Sequence, residues 1–137
     1  MFRKWKTEDN MKKTIVILAA VLVVAALLLN TGCRKHRINI TGVWFFTITI
    51  YGESFDETYT FVGDHRTGEV IWQDVSLGTY SVSGDSVNFT LEYYDIDDDY
   101  TVEVYRGFFD ADDQMSGSVT ITIEGYEPAT GSWIAVR

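Results

Sequence analysis

Gly78-Thr79-Tyr80-Ser81-Val82-Ser83-Gly84-Asp85-Ser86-Val87-Asn88-Phe89-Thr90-Leu91-Glu92-Tyr93 contains two alternating segments joined by a short polar turn. In the second segment Val87, Phe89, Leu91 and Tyr93 alternate with Ser86, Asn88, Thr90 and Glu92. A period of two sends the apolar set to one face of a strand and the polar set to the other. Ser83-Gly84-Asp85 between them supplies a glycine free to take positive φ, so the two strands read as an antiparallel hairpin.

The same alternation extends in both directions, and helical periodicity appears nowhere after residue 38. Upstream, residues 43–51 place Trp44, Phe46, Ile48 and Ile50 on one face, with Val43, Phe45, Thr47, Thr49 and Tyr51 on the other. Strands are further expected at 58–62, 69–75, 78–82, 86–93, 100–109, 115–124 and 131–137. Eight strands with hairpin-length connections exclude a parallel sheet, which needs long crossovers. An up-and-down meander that closes on itself removes both exposed edges. The expected fold is therefore all-β, an eight-stranded antiparallel up-and-down barrel, with an open sheet or two-sheet sandwich as the alternative. Pro128, the single proline, falls in the last turn, where it removes no ladder hydrogen bond.

The N-terminal part is of another kind. Lys12-Lys13 leads into fifteen apolar residues, Ile15 to Leu29, and the run breaks at Asn30-Thr31-Gly32 before Cys33, the only cysteine. Fifteen residues make a helix of roughly 22 Å, short of the ~30 Å hydrocarbon core of a bilayer. A positive start and an apolar stretch of this length suit an export signal. The segment resembles the lipobox of bacterial lipoproteins, in which Gly or Ala precedes an acylated cysteine. It departs from that motif in one place, Asn30 standing where leucine is usual. The resemblance implies a signal peptide over residues 1–32, a lipid on Cys33, a basic tether over 33–38 and a domain outside the cytoplasm, anchored to a membrane of the bacterial cell envelope. An uncleaved N-terminal anchor helix and a soluble free-thiol protein are the alternatives. Glu8 and Asp9 oppose a positive start, so Met11-Lys12-Lys13-Thr14 reads as the true beginning.

From Cys33 onward the chain has six basic against 18 acidic side chains, a net charge of −12. Nucleic acid requires a basic footprint, so it is not an expected partner. Arg34-Lys35-His36-Arg37 concentrates positive charge beside the anchor, where anionic headgroups would meet it. With one cysteine there is no internal disulfide and no cysteine-based metal site. Burial alone must hold the domain, and 18 aromatic residues after Cys33 provide it.

Ile40-Thr41-Gly42-Val43-Trp44 resembles the Gly-x-Trp opening strand of lipocalins and avidins. Gly78–Phe89, Met115-Ser116-Gly117 and Gly131-Ser132-Trp133-Ile134-Ala135-Val136-Arg137 resemble, in order and spacing, bacterial lipocalin-like lipoprotein domains, the likeness spanning residues 39–137. The resemblance implies a calycin-type barrel in which Trp44 closes one end against Arg137. It supports a fold far more than a function.

Candidate chemistry is sparse. His65 beside Asp64 in the turn 63–68 could be half of an acid–base pair, but a solvated turn histidine is the simpler reading. A Gly-x-Ser-x-Gly elbow and a second domain histidine are both missing, so a Ser-His-Asp triad lacks its setting. The acidic stretches Asp95-Ile96-Asp97-Asp98-Asp99 and Asp110-Ala111-Asp112-Asp113 do not match the calcium-loop frame, and turn-forming aspartates explain them. Trp44, Phe46, Tyr59, Phe61, Trp72, Tyr80, Phe89 and Trp133 are expected to point inward, either filling the core or lining an apolar pocket. The expected function is a non-enzymatic envelope lipoprotein without metal or cofactor, binding a small hydrophobic ligand or a protein neighbour. A scaffold without ligand and a barrel enzyme are the alternatives.

Overall fold

Eight strands follow one another in the computed structural model, which describes residues 38–137: β1 (Gly42–Ile50), β2 (Glu53–Gly63), β3 (Thr67–Trp72), β4 (Val75–Ser83), β5 (Ser86–Tyr94), β6 (Tyr100–Ala111), β7 (Gln114–Ile123) and β8 (Ala129–Val136). Each pairs antiparallel with the next, and β8 returns to β1 through the register Phe45↔Val136 to Ile50↔Gly131. The ladder closes, giving the up-and-down barrel rather than an open sheet or a sandwich. The expected signal and anchor helix and Cys33 lie outside the described residues.

Strand limits differ from the sequence reading by up to five residues, most of all at the start of β2 and around the β3–β4 turn. β2 starts at Glu53, five residues earlier than expected, because Phe55 and Glu57 continue its inward row between Ser54, Asp56 and Thr58. Charged residues there conceal the period of two. The strand expected over 69–75 ends at Trp72, and Val75 already belongs to β4. Gln73 and Asp74, at φ 46° and 66°, form the two-residue turn between them. Positive φ at both positions is the type I′ hairpin condition, met here without the Asn-Gly or Asp-Gly signal that normally announces it.

Turns alternate between the two barrel ends. At one end lie the β2–β3, β4–β5 and β6–β7 turns, the incoming segment at Ile38 and the terminal Arg137; at the other lie the β1–β2, β3–β4, β5–β6 and β7–β8 turns. The first end is closed. Trp44, 0% exposed, donates its indole N–H to the Ile40 carbonyl at 2.7 Å. The Arg137 guanidinium lies 4.9 Å from the Trp44 ring centroid and donates to the Asn39 and Thr41 carbonyls at 2.7 and 3.3 Å. Incoming chain, first strand and last residue are thereby tied into one plug, with the Phe109 ring set edge-on to Trp44.

Above the plug the interior is filled by rings. Phe46 is within ring-contact range of Tyr59, Phe61, Phe89, Tyr105 and Trp133, and Phe89 stacks on Tyr105 with centroids 4.2 Å apart. Eight strands enclose a space that side chains of this size can fill. Room for Trp133 comes from glycine: Gly107 faces Gly117 across β6 and β7, and Gly117 faces Trp133 across β7 and β8. A Cβ on Gly107 would stand 2.5 Å from Trp133 Cζ2, so any side chain there displaces the indole.

Candidate functional site

The ring filling stops short of the second end. There β2 to β7 enclose a cavity of about 580 Å³ that opens at the mouth of the barrel. Phe55, Val75, Leu77, Leu91, Ile121 and Ile123 give it apolar walls, and Tyr59, Trp72, Tyr93 and Tyr94 add aromatic ones. The lining depends on a register shift: Val70 pairs with Gly78 and Ile71 with Ser76, leaving Leu77 as the extra residue of a bulge. Bulges commonly re-aim a side chain at the rim of a barrel, and this one supplies Leu77 to the cavity wall.

Polar groups in the cavity are few and of one sign. Glu57 and Glu103 line it, with Asp95 and Thr101 nearer the rim. Glu103, 7% exposed, accepts from the Tyr93 hydroxyl at 2.5 Å through Oε1 and from the Tyr105 hydroxyl at 2.6 Å through Oε2. Tyr105 is in turn 3.4 Å, hydroxyl to hydroxyl, from Tyr59. Glu57 Oε2 accepts the Trp72 indole N–H at 2.8 Å. Buried carboxylates need such donors, because an unpaired one is costly to desolvate.

The phenols respond to this setting. Burial is the main cause raising the pKa of Tyr59, Tyr93 and Tyr105 well above the ordinary tyrosine value, and the Glu103 carboxylate adds to it in each case. An unfolded tyrosine releases its proton near pH 10, and burial moves the release from these three to higher pH in the folded barrel. Above that pH the folded state holds more protons than the unfolded one, so stability is full below about pH 10 and falls as pH rises. In an alkaline titration these three of the eight tyrosines are expected to ionise only together with the loss of near-ultraviolet circular dichroism. Phenolate absorbance from all eight appearing while the tertiary signal persists would place these hydroxyls in water instead.

Of the inward aromatic residues expected from sequence, Tyr59 and Trp72 line the cavity. Phe46, Phe61, Phe89 and Trp133 fill the barrel beneath it, Trp44 closes the other end, and Tyr80 is buried with its hydroxyl donating to the Asp64 carbonyl at 2.6 Å. The two readings of that set, filled core and pocket lining, therefore apply to different members of it. Arg137 meets Trp44 at the closed end, and Cys33 falls outside the described residues. Glu57, Glu103, Tyr93 and Tyr105 were not singled out by the sequence reading. Alternation gave no signal for Glu103, because Val102 and Val104 are the more apolar residues of that strand while Thr101, Glu103 and Tyr105 are the buried ones.

His65 and Asp64 sit at the closed end, away from the cavity. Asp64 Oδ1 accepts the backbone N–H groups of Arg66 and Thr67 at 2.7 and 2.9 Å, which hold its carboxyl below the usual carboxylate range. It shapes the turn. Asp95 does the same at the mouth, accepting from the Asp97 and Asp99 amides at 2.9 and 3.0 Å. Among the described residues no three His, Cys, Asp or Glu side chains are grouped to hold a metal ion.

No family model and no curated protein matches the chain. Two solved structures are similar to it. EF1p2_mFAP2b, solved bound to DFHBI, aligns with a TM-score of 0.59 at 13% identity, covering 72% of this chain and 93% of its own. A redesigned beta barrel, b11L5F_LGL, aligns with a TM-score of 0.55 at 15% identity, covering 77% of this chain and 96% of its own. At these identities the likeness is one of fold.

Proposed function

We propose that the protein is a lipid-anchored component of the bacterial cell envelope whose barrel binds a small, largely apolar molecule in the mouth cavity. The cavity carries the reading. Its volume, about 580 Å³, lies within the roughly 300–1,000 Å³ typical of small-molecule sites, which are apolar with a few placed polar groups. The similar barrel EF1p2_mFAP2b was solved bound to DFHBI, which supports a barrel of this architecture accepting a ligand. Binding suits the site better than catalysis, because phenol and indole donors already engage the Glu103 and Glu57 carboxylates. Residues 12–33 support the anchored address, and the mouth opens at the end opposite the one where the chain enters the barrel at Ile38.

Calorimetric titration of the full chain in phosphatidylcholine nanodiscs, blanked against empty nanodiscs, tests the binding. A water-soluble neutral probe, 4-phenylbutanol, should bind saturably at one site per chain. Leu77→Trp, which places an indole on the cavity wall, should abolish that binding while leaving the barrel folded. Heat indistinguishable from the blank with the unaltered protein would reject the ligand-binding reading.

A further inference from the structure

We propose that the molecule taken by this cavity carries a positive charge: an amphipathic amine whose apolar part fills the walls and whose ammonium meets Glu57 and Glu103. The inference rests on the ligand-binding reading above and adds the sign of the ligand. Three observations lead to it.

First, the cavity holds carboxylates and no counter-charge. Glu57, Glu103 and Asp95 line it, and no Lys, Arg or His does. Among the described residues neither Glu57 nor Glu103 forms an ion pair, and the sole hydrogen bond to Glu57 comes from Trp72 onto Oε2, so Oε1 remains available. A carboxylate buried as deeply as Glu103 is offset in part by two phenol donors, and a cation is what would complete it. An anionic ligand such as a fatty acid would instead bring a second negative charge into the same space.

Second, acidic side chains stand at both barrel ends, Asp64, Asp85, Asp110, Asp112 and Asp113 sharing the closed end with Arg66 and Arg137, but those at the mouth have no basic neighbour. The mouth turns and the residues beside them carry Glu53, Asp74, Asp95, Asp97, Asp98, Asp99, Glu124 and Glu127 without one basic residue. The described arginines lie elsewhere: Arg66 and Arg137 at the closed end, and Arg106 exposed on the outer face of β6. A low-dielectric cleft rimmed by one sign of charge concentrates the opposite ion at its entrance.

Third, the carboxylates stand among aromatic faces. Tyr59, Trp72, Tyr93 and Tyr94 line the same cavity, and aromatic rings attract an ammonium through their electron-rich faces. The carboxylate supplies charge and the rings supply a surface that a desolvated cation accepts. A neutral ligand would use only the second.

Three probes that differ in one end group decide the matter, with the full chain in phosphatidylcholine nanodiscs: 4-phenylbutylamine, 4-phenylbutanol and 4-phenylbutanoate. The amine should bind about tenfold or more tightly than the alcohol, as for a hydrogen bond to a charged group, and the carboxylate should bind most weakly. Glu57→Gln and Glu103→Gln, singly and together, should shrink the ratio of amine to alcohol affinity. Glu57→Gln alters a half-buried side chain with one hydrogen bond, so it reports even if Glu103→Gln loosens the tyrosine network. Equal affinity for amine and alcohol, or tighter binding of the carboxylate, overturns the charge assignment and leaves the apolar site standing. Binding of none of the three overturns both.

Discussion

Trp44→Ala should bring the barrel close to unfolding, whereas Phe45→Ala, one residue further along the same strand, should leave it folded. The two side chains lie on opposite faces of β1: Trp44 is 0% exposed and Phe45 is 57% exposed. Truncating a buried tryptophan costs about 3–5 kcal/mol, against a total of about 5–15 for a domain. Trp44 also does more than fill space. Its loss leaves the Ile40 carbonyl without its indole donor, Arg137 without the ring beneath it, and Phe109 without its edge partner. The incoming segment and the last strand are joined through that group, so the seam where β8 meets β1 should loosen with it. Trp44→Phe should fall between the two, keeping a ring for Arg137 and Phe109 but no donor for Ile40. Urea titrations read all three, and equal midpoints for Trp44→Ala and Phe45→Ala would show that the plug contributes nothing of its own.

The fold was legible because its signals are local and repeated. Val87, Phe89, Leu91 and Tyr93 fix the inner face of β5, and Gly84, at φ 61°, marks the turn before it. What local signals cannot give is the shear between strands or the place where the interior stops being full. Both decide the site here. The bulge opposite Val70 and Ile71 puts Leu77 into the cavity wall, yet nothing in Trp72-Gln73-Asp74-Val75-Ser76-Leu77 announces it. Glu103 is concealed in another way. In Thr101-Val102-Glu103-Val104-Tyr105 the two valines outrank their neighbours in hydropathy, but the buried row is Thr101, Glu103 and Tyr105. A site that buries a carboxylate inverts the polarity rule by which faces are read, so alternation points away from it. Such inversions are expected where a sequence departs from packing for the sake of function.

The remaining large effect is expected at Cys33. A thioether to a diacylglyceryl group needs the sulfur, so Cys33→Ser should remove all label when cells are fed a fatty-acid probe. Intact mass should show the unaltered protein beginning at residue 33 and carrying its acyl chains, while the variant carries none and does not begin there. Two or three chains hold a protein stably at a bilayer where one holds it only marginally, so the anchor needs no help from the apolar run before it. Arg34, Lys35 and Arg37 would add about 1 kcal/mol each next to anionic headgroups, a contribution that high salt screens. The competing readings leave different traces. An uncleaved anchor predicts an unlabelled chain that retains residues 15–29 and stays in the membrane with or without the cysteine. A free-thiol protein predicts no label and no membrane fraction from either chain. Label on Cys33→Ser equal to that on the unaltered protein would place the acyl group elsewhere and remove the reason for assigning the barrel to the envelope.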